Sequence, residues 1–380
     1  MDFQPDEAQA AVAAVARQFA RERIAPEAAR NDRESRFPAH LVKGLGELGL
    51  LAINVPAEHG GSEAGAIASA LAMMELAAAD RSVAVVAGVT NMVAETIQRY
   101  GTPAQRARCL PRLASAEWLA GAFGLSEPAA GSDPAAMRTR AVRHGDGWVL
   151  DGEKQWISQG DVAGVTVVWA KTDPAAGGKG VSAFLVEQGT PGLTIGRHEE
   201  KMGLRASPTV SLVFEGCRLP GSALLGQPGQ GLAIALSALD GGRIGIGSQA
   251  VGTMRAALDA AARYAKERVT FGKPIAQHQA VAFMLADMAV DHDTSRLLVL
   301  RAAALKEAGR PFTREAAMAK LFASEAAQRV VAKAVQIHGG NGFTEEFEVA
   351  RLYRDARVQT IYEGTSEIQR MVIARKLLDE

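Results

Sequence analysis

Cysteine is scarce in this 380-residue chain: Cys109 and Cys217 are the two present. Neither has a second Cys or a His at metal-ligand spacing, which excludes a disulfide framework and argues against a zinc site, leaving both as small buried hydrophobes. Charge of one sign is lacking too. Lys plus Arg total 42 and Asp plus Glu total 42, so no basic face for nucleic acid is expected. No uncharged apolar run reaches the roughly 18–20 residues of a membrane span. The opening Met1, Asp2, Phe3 and Gln4 have no basic-then-apolar order, and their early acid does not suit a transit peptide. A cytoplasmic location is expected, with the mitochondrial matrix as its eukaryotic counterpart. What is present, 48% hydrophobic and 22% charged residues, is the profile of a globular protein large enough for two or three domains.

Three zones follow one another. Residues 1–121 are Ala-rich and helical, with Val12, Val15 and Phe19 at i, i+3, i+7 and Leu41, Leu45 and Leu48 at i, i+4, i+7. Pro5 and the stretch 56–61 punctuate this zone, and Thr102 followed by Pro103 reads as an N-cap with proline in the first turn. Residues 122–226 switch to short apolar runs at 147–152, 165–169, 181–186 and 210–214, separated by Gly and Pro turns. Closely spaced strands without intervening helices predict an antiparallel sheet or barrel. Residues 227–380 return to long helical periods at about 231–267, 279–308, 314–337 and 366–378, the pattern of an up-and-down bundle. The fold class is therefore α+β, ordered helices, strands, bundle.

Several short motifs have two readings each. Phe123, Leu125 and Ser126 precede a Pro/Gly-rich loop containing Ser132. They make either an extended segment touching a flat ligand or a plain strand running into a turn. Trp156, Ile157 and Ser158 offer a ring and a hydroxyl on one face, or a core tryptophan. Gln336, Ile337, His338, Gly339, Gly340, Asn341 and Gly342 end a helix with more glycine than a cap needs, which permits close backbone approach to a phosphate or ribose. Glu363 lies between the apolar pair Ile361–Tyr362 and Gly364, just before a helix capped by Thr365 or Ser366. Burial there would raise its pKa and suit it to proton abstraction, whereas in an open loop it is only a surface acid. Asp240, Arg243 and Arg268 are either anion-binding residues or solvated charges at helix ends.

In order and spacing these five motifs resemble the acyl-CoA dehydrogenase family along nearly the whole chain. The likeness is greatest to the short-chain, butyryl-type branch, notably in the run from Leu239 to Ile246 and in Tyr353, Arg354, Asp355, Ala356 and Arg357. The resemblance implies an N-terminal helical domain, a middle β-domain and a C-terminal four-helix bundle, assembled as a homotetramer built from two dimers. It implies FAD between the middle and C-terminal domains. Phe123, Leu125, Ser126, Trp156, Ile157 and Ser158 would lie at its flavin end. Arg268, Val269, Thr270, Phe271, His278, Gln279, Gln336, Gly339 and Gly340 would come from the neighbouring subunit, and Thr365 and Glu367 from the first. Ser132, Asp240, Arg243 and Gly364 fall where the family holds acyl-CoA.

The implied reaction is α,β-dehydrogenation of an acyl-CoA to the trans-2-enoyl-CoA. Glu363 takes the α-proton, the β-hydrogen leaves as hydride to flavin N5, and an electron-transferring flavoprotein is the expected acceptor. A substrate of about four carbons is expected from the short-chain likeness. Ser126 replaces a frequent Thr and keeps its hydroxyl; His338 stands where the family is usually apolar or aromatic. Competing readings are a flavoenzyme on the same scaffold acting on a carrier-protein-bound, branched or cyclic acyl group, one using another electron acceptor, and a catalytically silent scaffold.

Overall fold

The computed structural model describes residues 5–378, so the four N-terminal residues read above for targeting signals lie outside it. Helix α1 (Glu7–Phe19) opens on a reciprocal cap, in which Asp6 accepts from the Gln9 N–H and the Gln9 side chain accepts from the Asp6 N–H. The chain runs on through one π turn into α2 (Ala25–Glu34), then α3 (Ala39–Glu47), α4 (Gly65–Ala79), α5 (Arg81–Tyr100) and α6 (Pro103–Ala114). Thr102 caps α6 as expected, accepting from the Gln105 N–H at 3.2 Å while Gln105 returns the bond at 2.9 Å.

The apolar periods located these helices but not every buried position. Leu41 and Leu45 are fully buried, whereas Val15 is 40% and Leu48 41% exposed, because Val15 faces outward and Leu48 lies at the end of its helix. Helix α4 is apolar on nearly every face, Glu75 being its one charged residue, and it buries Leu71, Met73, Met74 and Leu76. Each contributes at most about 1.5–3 kcal/mol.

Eight strands form the middle sheet: β1 (Ala120–Gly124), β2 (Arg140–His144), β3 (Gly147–Ser158), β4 (Ala163–Lys171), β5 (Val181–Glu187), β6 (Leu193–His198), β7 (Thr209–Leu219) and β8 (Leu224–Leu225). Their order is β6-β7-β3-β2-β4-β5-β8, with β1 against β4. The expectation of a purely antiparallel sheet is corrected here. β1 pairs with β4 in parallel, Phe123 opposite Val167, and β2 meets β4 in parallel at Arg140 and Lys171. The inference from short connections failed because β1 does not pair with its successor. The 125–139 loop and the β2–β3 hairpin intervene, enough chain for a parallel return.

Beyond the sheet come α7 (Gly231–Glu267), the small hairpin β9 (Val269–Thr270) and β10 (Lys273–Pro274), then α8 (Gln279–Glu307), α9 (Thr313–His338), α10 (Glu348–Ala356) and α11 (Ser366–Leu378). The four long helices begin and end within a residue of the periods read in the sequence.

Specific ties join the three parts. The Trp169 indole N–H donates to the Gly231 carbonyl at 2.7 Å. A side chain on Gly231 would lie 2.6–2.8 Å from the Ser182 backbone, so only glycine lets α7 start against β5. Arg354 donates to both Asp32 oxygens, at 3.2 and 2.5 Å, and to Glu345 at 2.9 Å. Its neighbour Asp355 accepts from the Leu204 N–H at 2.7 Å. The family-like run around Arg354 thus ties α10 to α2 and to the sheet's β6–β7 connection.

Candidate active site

Residues 361–365 link a 3-10 turn to α11. Glu363 adopts a left-handed backbone (φ 51°) and Gly364 follows at φ 87°. Such a conformation at a glutamate costs of order 1–3 kcal/mol and persists only when its surroundings enforce it. Here Lys320 of α9 donates to the Gly364 carbonyl at 2.7 Å. Gln369 donates to the same oxygen at 2.9 Å and to the Glu363 carbonyl at 3.3 Å. Thr365 caps α11, its hydroxyl accepting from the Ile368 N–H at 3.4 Å, which decides between the two caps the sequence allowed.

Glu363 is half-buried as a residue, yet its Oε2 is shut off from solvent and has no hydrogen-bond partner among the described residues. It lies flush against Gly242 of α7: a Cβ there would collide with Glu363 Oε2 and sit 3.0 Å from Met92 Sδ. Burial pushes the Glu363 carboxyl up to about 7, against the opposing pull of Lys320 and Arg243. The same burial pushes Lys320 down to about 8, with Glu363 holding it up. The Glu363 N–H donates to no acceptor among the described residues. A carboxyl that titrates near neutrality, with a free oxygen and a free amide beside it, can take a proton from a bound molecule and donate to it at the same point.

Arg243, also buried, has its guanidinium lowered by burial and held by Asp240, to which it donates at 2.5 Å. Thr313 donates to the second Asp240 oxygen at 2.6 Å. The Arg243–Asp240 pair is thus part of a fixed network beside Glu363 rather than a solvated charge at a helix end.

On the sheet, Phe123 packs on Trp169 with ring centroids 4.2 Å apart, and Leu125 is buried in the same cluster. Ser126 is half-buried and Ser132 lies exposed in the following loop. Trp156 is 57% exposed on a left-handed backbone of φ 62°. The pairing of β3 with β7 shifts between Lys154 and Ile157, so strict alternation is broken at that point. Ile157 points into the core and Ser158 stays half-buried.

Under this segment lies a buried ion pair. Lys154 donates to Glu127 Oε1 at 2.8 Å and to the Leu125 carbonyl at 3.2 Å. Glu127 also accepts from the Arg138 and Thr139 N–H groups. Burial pushes Lys154 down to about 8, with Glu127 opposing. Lys154 and its nearby charge hold Glu127 below the usual carboxylate range despite burial.

The remaining sequence-selected residues lie elsewhere. Arg268, Val269, Phe271 and Gln279 are exposed around the β9–β10 hairpin, and the His278 ring contacts the Thr270 hydroxyl at 3.1 Å. Gln336, Gly339 and Gly340 are exposed at the end of α9. The two groups are neighbours, since Asn341 donates to the Tyr264 hydroxyl at 3.0 Å. His338 is explained here. Its ring stacks on Tyr264 at 4.3 Å and bonds the Ala334 carbonyl at 2.8 Å, which pins the glycine loop to α7. Gly242 and Arg268 stand 26 residues apart on one helix and its cap, about 39 Å at 1.5 Å per residue. One chain therefore does not bring this group to Glu363.

Sequence reading passed over Lys320, Lys154, Glu127, Arg81 and Gln249. Lys320 had a usable signal: it shares a helical face with Ala316, Ala323 and Ala327, all fully buried, and a lysine on an apolar face is anomalous. The others announce themselves only through long-range contacts.

Profiles of the N-terminal, middle and C-terminal domains of acyl-CoA dehydrogenases match residues 6–117, 122–217 and 229–378. The mitochondrial short-chain specific acyl-CoA dehydrogenase of Bos taurus is 49% identical over 95% of this chain and 88% of its own. The NADH-dependent acryloyl-CoA reductase of Anaerotignum propionicum is 45% identical over 100% of this chain and 96% of its own. The solved butyryl-CoA dehydrogenase of Megasphaera elsdenii superposes with a TM-score of 0.97 at 41% identity, covering 100% of both chains. With all three domain profiles matched in order along one chain, this protein belongs to the acyl-CoA dehydrogenase family of oxidoreductases.

Proposed function

We propose that the protein dehydrogenates a short acyl-CoA at its α,β-bond, with Glu363 as the base. The observation that carries this is the solvent-free, unpartnered Glu363 Oε2, pushed up to about 7 and flush against Gly242. Oε2 takes the α-proton. The free Glu363 N–H suits the thioester oxygen, where negative charge gathers as that proton leaves. Arg243 and Lys320 keep the carboxyl ionisable in a buried setting. A substrate of about four carbons is supported by the short-chain relatives.

The residues present fit FAD. A cleft of about 510 Å³ opens beside Thr365 and Glu367 and is lined also by Gln328, Tyr353 and Arg357. The Ser366 hydroxyl is buried at its edge without a partner among the described residues. Trp156 presents an exposed ring, and among the described residues nothing approaches within 4 Å of where a Cβ would stand on Gly339 and Gly340. Thr365, Glu367, Ser126, Trp156 and Ser158 would hold FAD from one subunit, and Arg268, Phe271, Gln279, Gln336, Gly339 and Gly340 from its neighbour. FAD supplies the acceptor for the β-hydride, and an electron-transferring flavoprotein is the proposed partner that reoxidises it.

Two outcomes are expected. The acid limb of kcat/KM should fall near pH 7, where Glu363 must lose its proton. Lys320→Met should move that limb upward, because removing a cation disfavours the carboxylate. A pH profile that stays put or moves down would show that Glu363 is not the group observed. Second, FAD binding should require assembly, proposed to be a homotetramer. Phe271 and Phe343, 96% and 90% exposed, await cover at the hairpin and the glycine loop. Mass measurement in solution with and without FAD checks this, and a monomer carrying a full complement of FAD would refute it.

A further inference from the structure

Arg81 is fully buried, and no carboxylate lies within ion-pair distance of it among the described residues. Its donors go to neutral acceptors instead: the Tyr362 hydroxyl at 2.7 Å and the Thr253 hydroxyl at 3.1 Å. With its amide oxygen turned inward, Gln359 accepts from Nη2 at 3.0 Å and from Nη1, while Nε has no acceptor among the described residues. Tyr362 passes the network on to Gln249 Oε1 at 3.4 Å, and Gln249 donates to the Ala84 carbonyl at 3.2 Å. A buried cation without a counter-ion is a poor way to stabilise a fold. This one is held one residue from Glu363.

Its position explains why it is kept. Helices α5 and α7 lie side by side in opposite directions, Met92 facing Gly242 at one level and Arg81 facing Thr253 at another. The Glu363 carboxylate occupies the Met92–Gly242 level. The Arg81 network lies further along the same seam between the two helices, and Gln249 fills the space over Gly88, where a Cβ would lie 2.8 Å from Gln249 Nε2. An acyl chain with its α-carbon at Glu363 that runs on between the helices meets this polar floor. A longer hydrocarbon tail would have to break bonds to a buried guanidinium and replace them with nothing.

We propose that Arg81 is a specificity-determining residue that fixes Tyr362 and Gln249 as the floor of the acyl groove and so limits chain length. The inference rests on the acyl-CoA reading above. The test compares flavin-loaded wild type, Arg81→Leu and Arg81→Lys with butyryl-, hexanoyl-, octanoyl- and glutaryl-CoA and a dye acceptor. Arg81→Leu should raise the octanoyl-to-butyryl ratio of kcat/KM at least ten-fold, mainly through a lower KM for octanoyl-CoA, while Arg81→Lys keeps the ratio near wild type. If Arg81→Leu does not accumulate as a flavin-loaded protein, Thr253→Val, which removes one acceptor at constant volume, should move the ratio the same way about three-fold. An unchanged ratio in whichever variant is used assigns Arg81 a purely structural role and overturns the proposal. Wild-type preference for glutaryl- over butyryl-CoA also overturns it, by making Arg81 the counter-ion of a substrate carboxylate. Wild type inactive on every acyl-CoA sinks the underlying functional reading instead, a result seen before any variant is compared.

Discussion

Glu363→Gln is expected to bind FAD and acyl-CoA as wild type does and to reduce its flavin at least about 10²–10⁴-fold more slowly, the span of general-base contributions. The amide keeps the side chain's size, and the backbone N–H and the Lys320 and Gln369 bonds to the 363–364 carbonyls stay in place. Only the proton acceptor is lost. Gly242, which faces the carboxylate across the seat, has no side chain that could take over the proton, and a side chain there would strike Glu363 itself. Anaerobic mixing with the best substrate, following the oxidised-flavin band, measures the effect, and bleaching near the wild-type rate would show that another group takes the proton. A second signature needs no turnover. Burial raises the folded-state pKa of Glu363 to about 7, above the unfolded value of about 4.3. Over that window the native state binds more protons, so this residue's contribution to stability is present below the window and is lost as pH rises through it. The glutamine variant should therefore lose less stability than wild type between pH 5 and 8 in urea titrations.

Lys154→Met is expected to cost about 3–5 kcal/mol, the range for removing one partner of a buried ion pair. Glu127 would keep its two backbone donors and lose its cation, and the Leu125 carbonyl would lose its donor. The loss is local to the segment carrying Ser126 and Ser132, so weaker FAD retention should accompany the lower urea midpoint. Adding Glu127→Gln should return part of the loss, because the stranded charge goes with it. A single variant within about 1 kcal/mol of wild type would mean that the pair does not hold this loop.

Where the sequence was legible, the reason is local. The ends of α7, α8, α9 and α11 follow from apolar period and from Gly and Pro breaks, and the Thr102 cap from a three-residue pattern. The setting that burial would give Glu363 was legible for the same reason, an acid between an apolar pair and a glycine. What stayed hidden depends on contacts distant in sequence. The direction of β1 was invisible because its partner β4 comes after an intervening hairpin. Lys320 meets residues 44 positions later, and Arg81 meets Tyr362 281 positions later. No window-based pattern links such pairs. Reading Trp156 and Ser158 on one face assumes strict alternation, and the bulge that turns the Trp156 ring outward has no marker short of its own unusual backbone.

Helix α7 bears on how this protein can change length. Its 37 residues carry, on one rod of about 55 Å, the abutment on β5, the Gly242 seat, the Gln249 and Thr253 floor, and the stem of the hairpin. Each occupies a fixed angular phase. Inserting or deleting one residue after Gly242 would advance everything beyond by about 1.5 Å and turn it by about 100°, throwing Gln249, Thr253 and the hairpin off their faces together. Substitutions can tune these stations singly, but single-residue indels cannot, so length variation is expected in the connections around α7 and not within it.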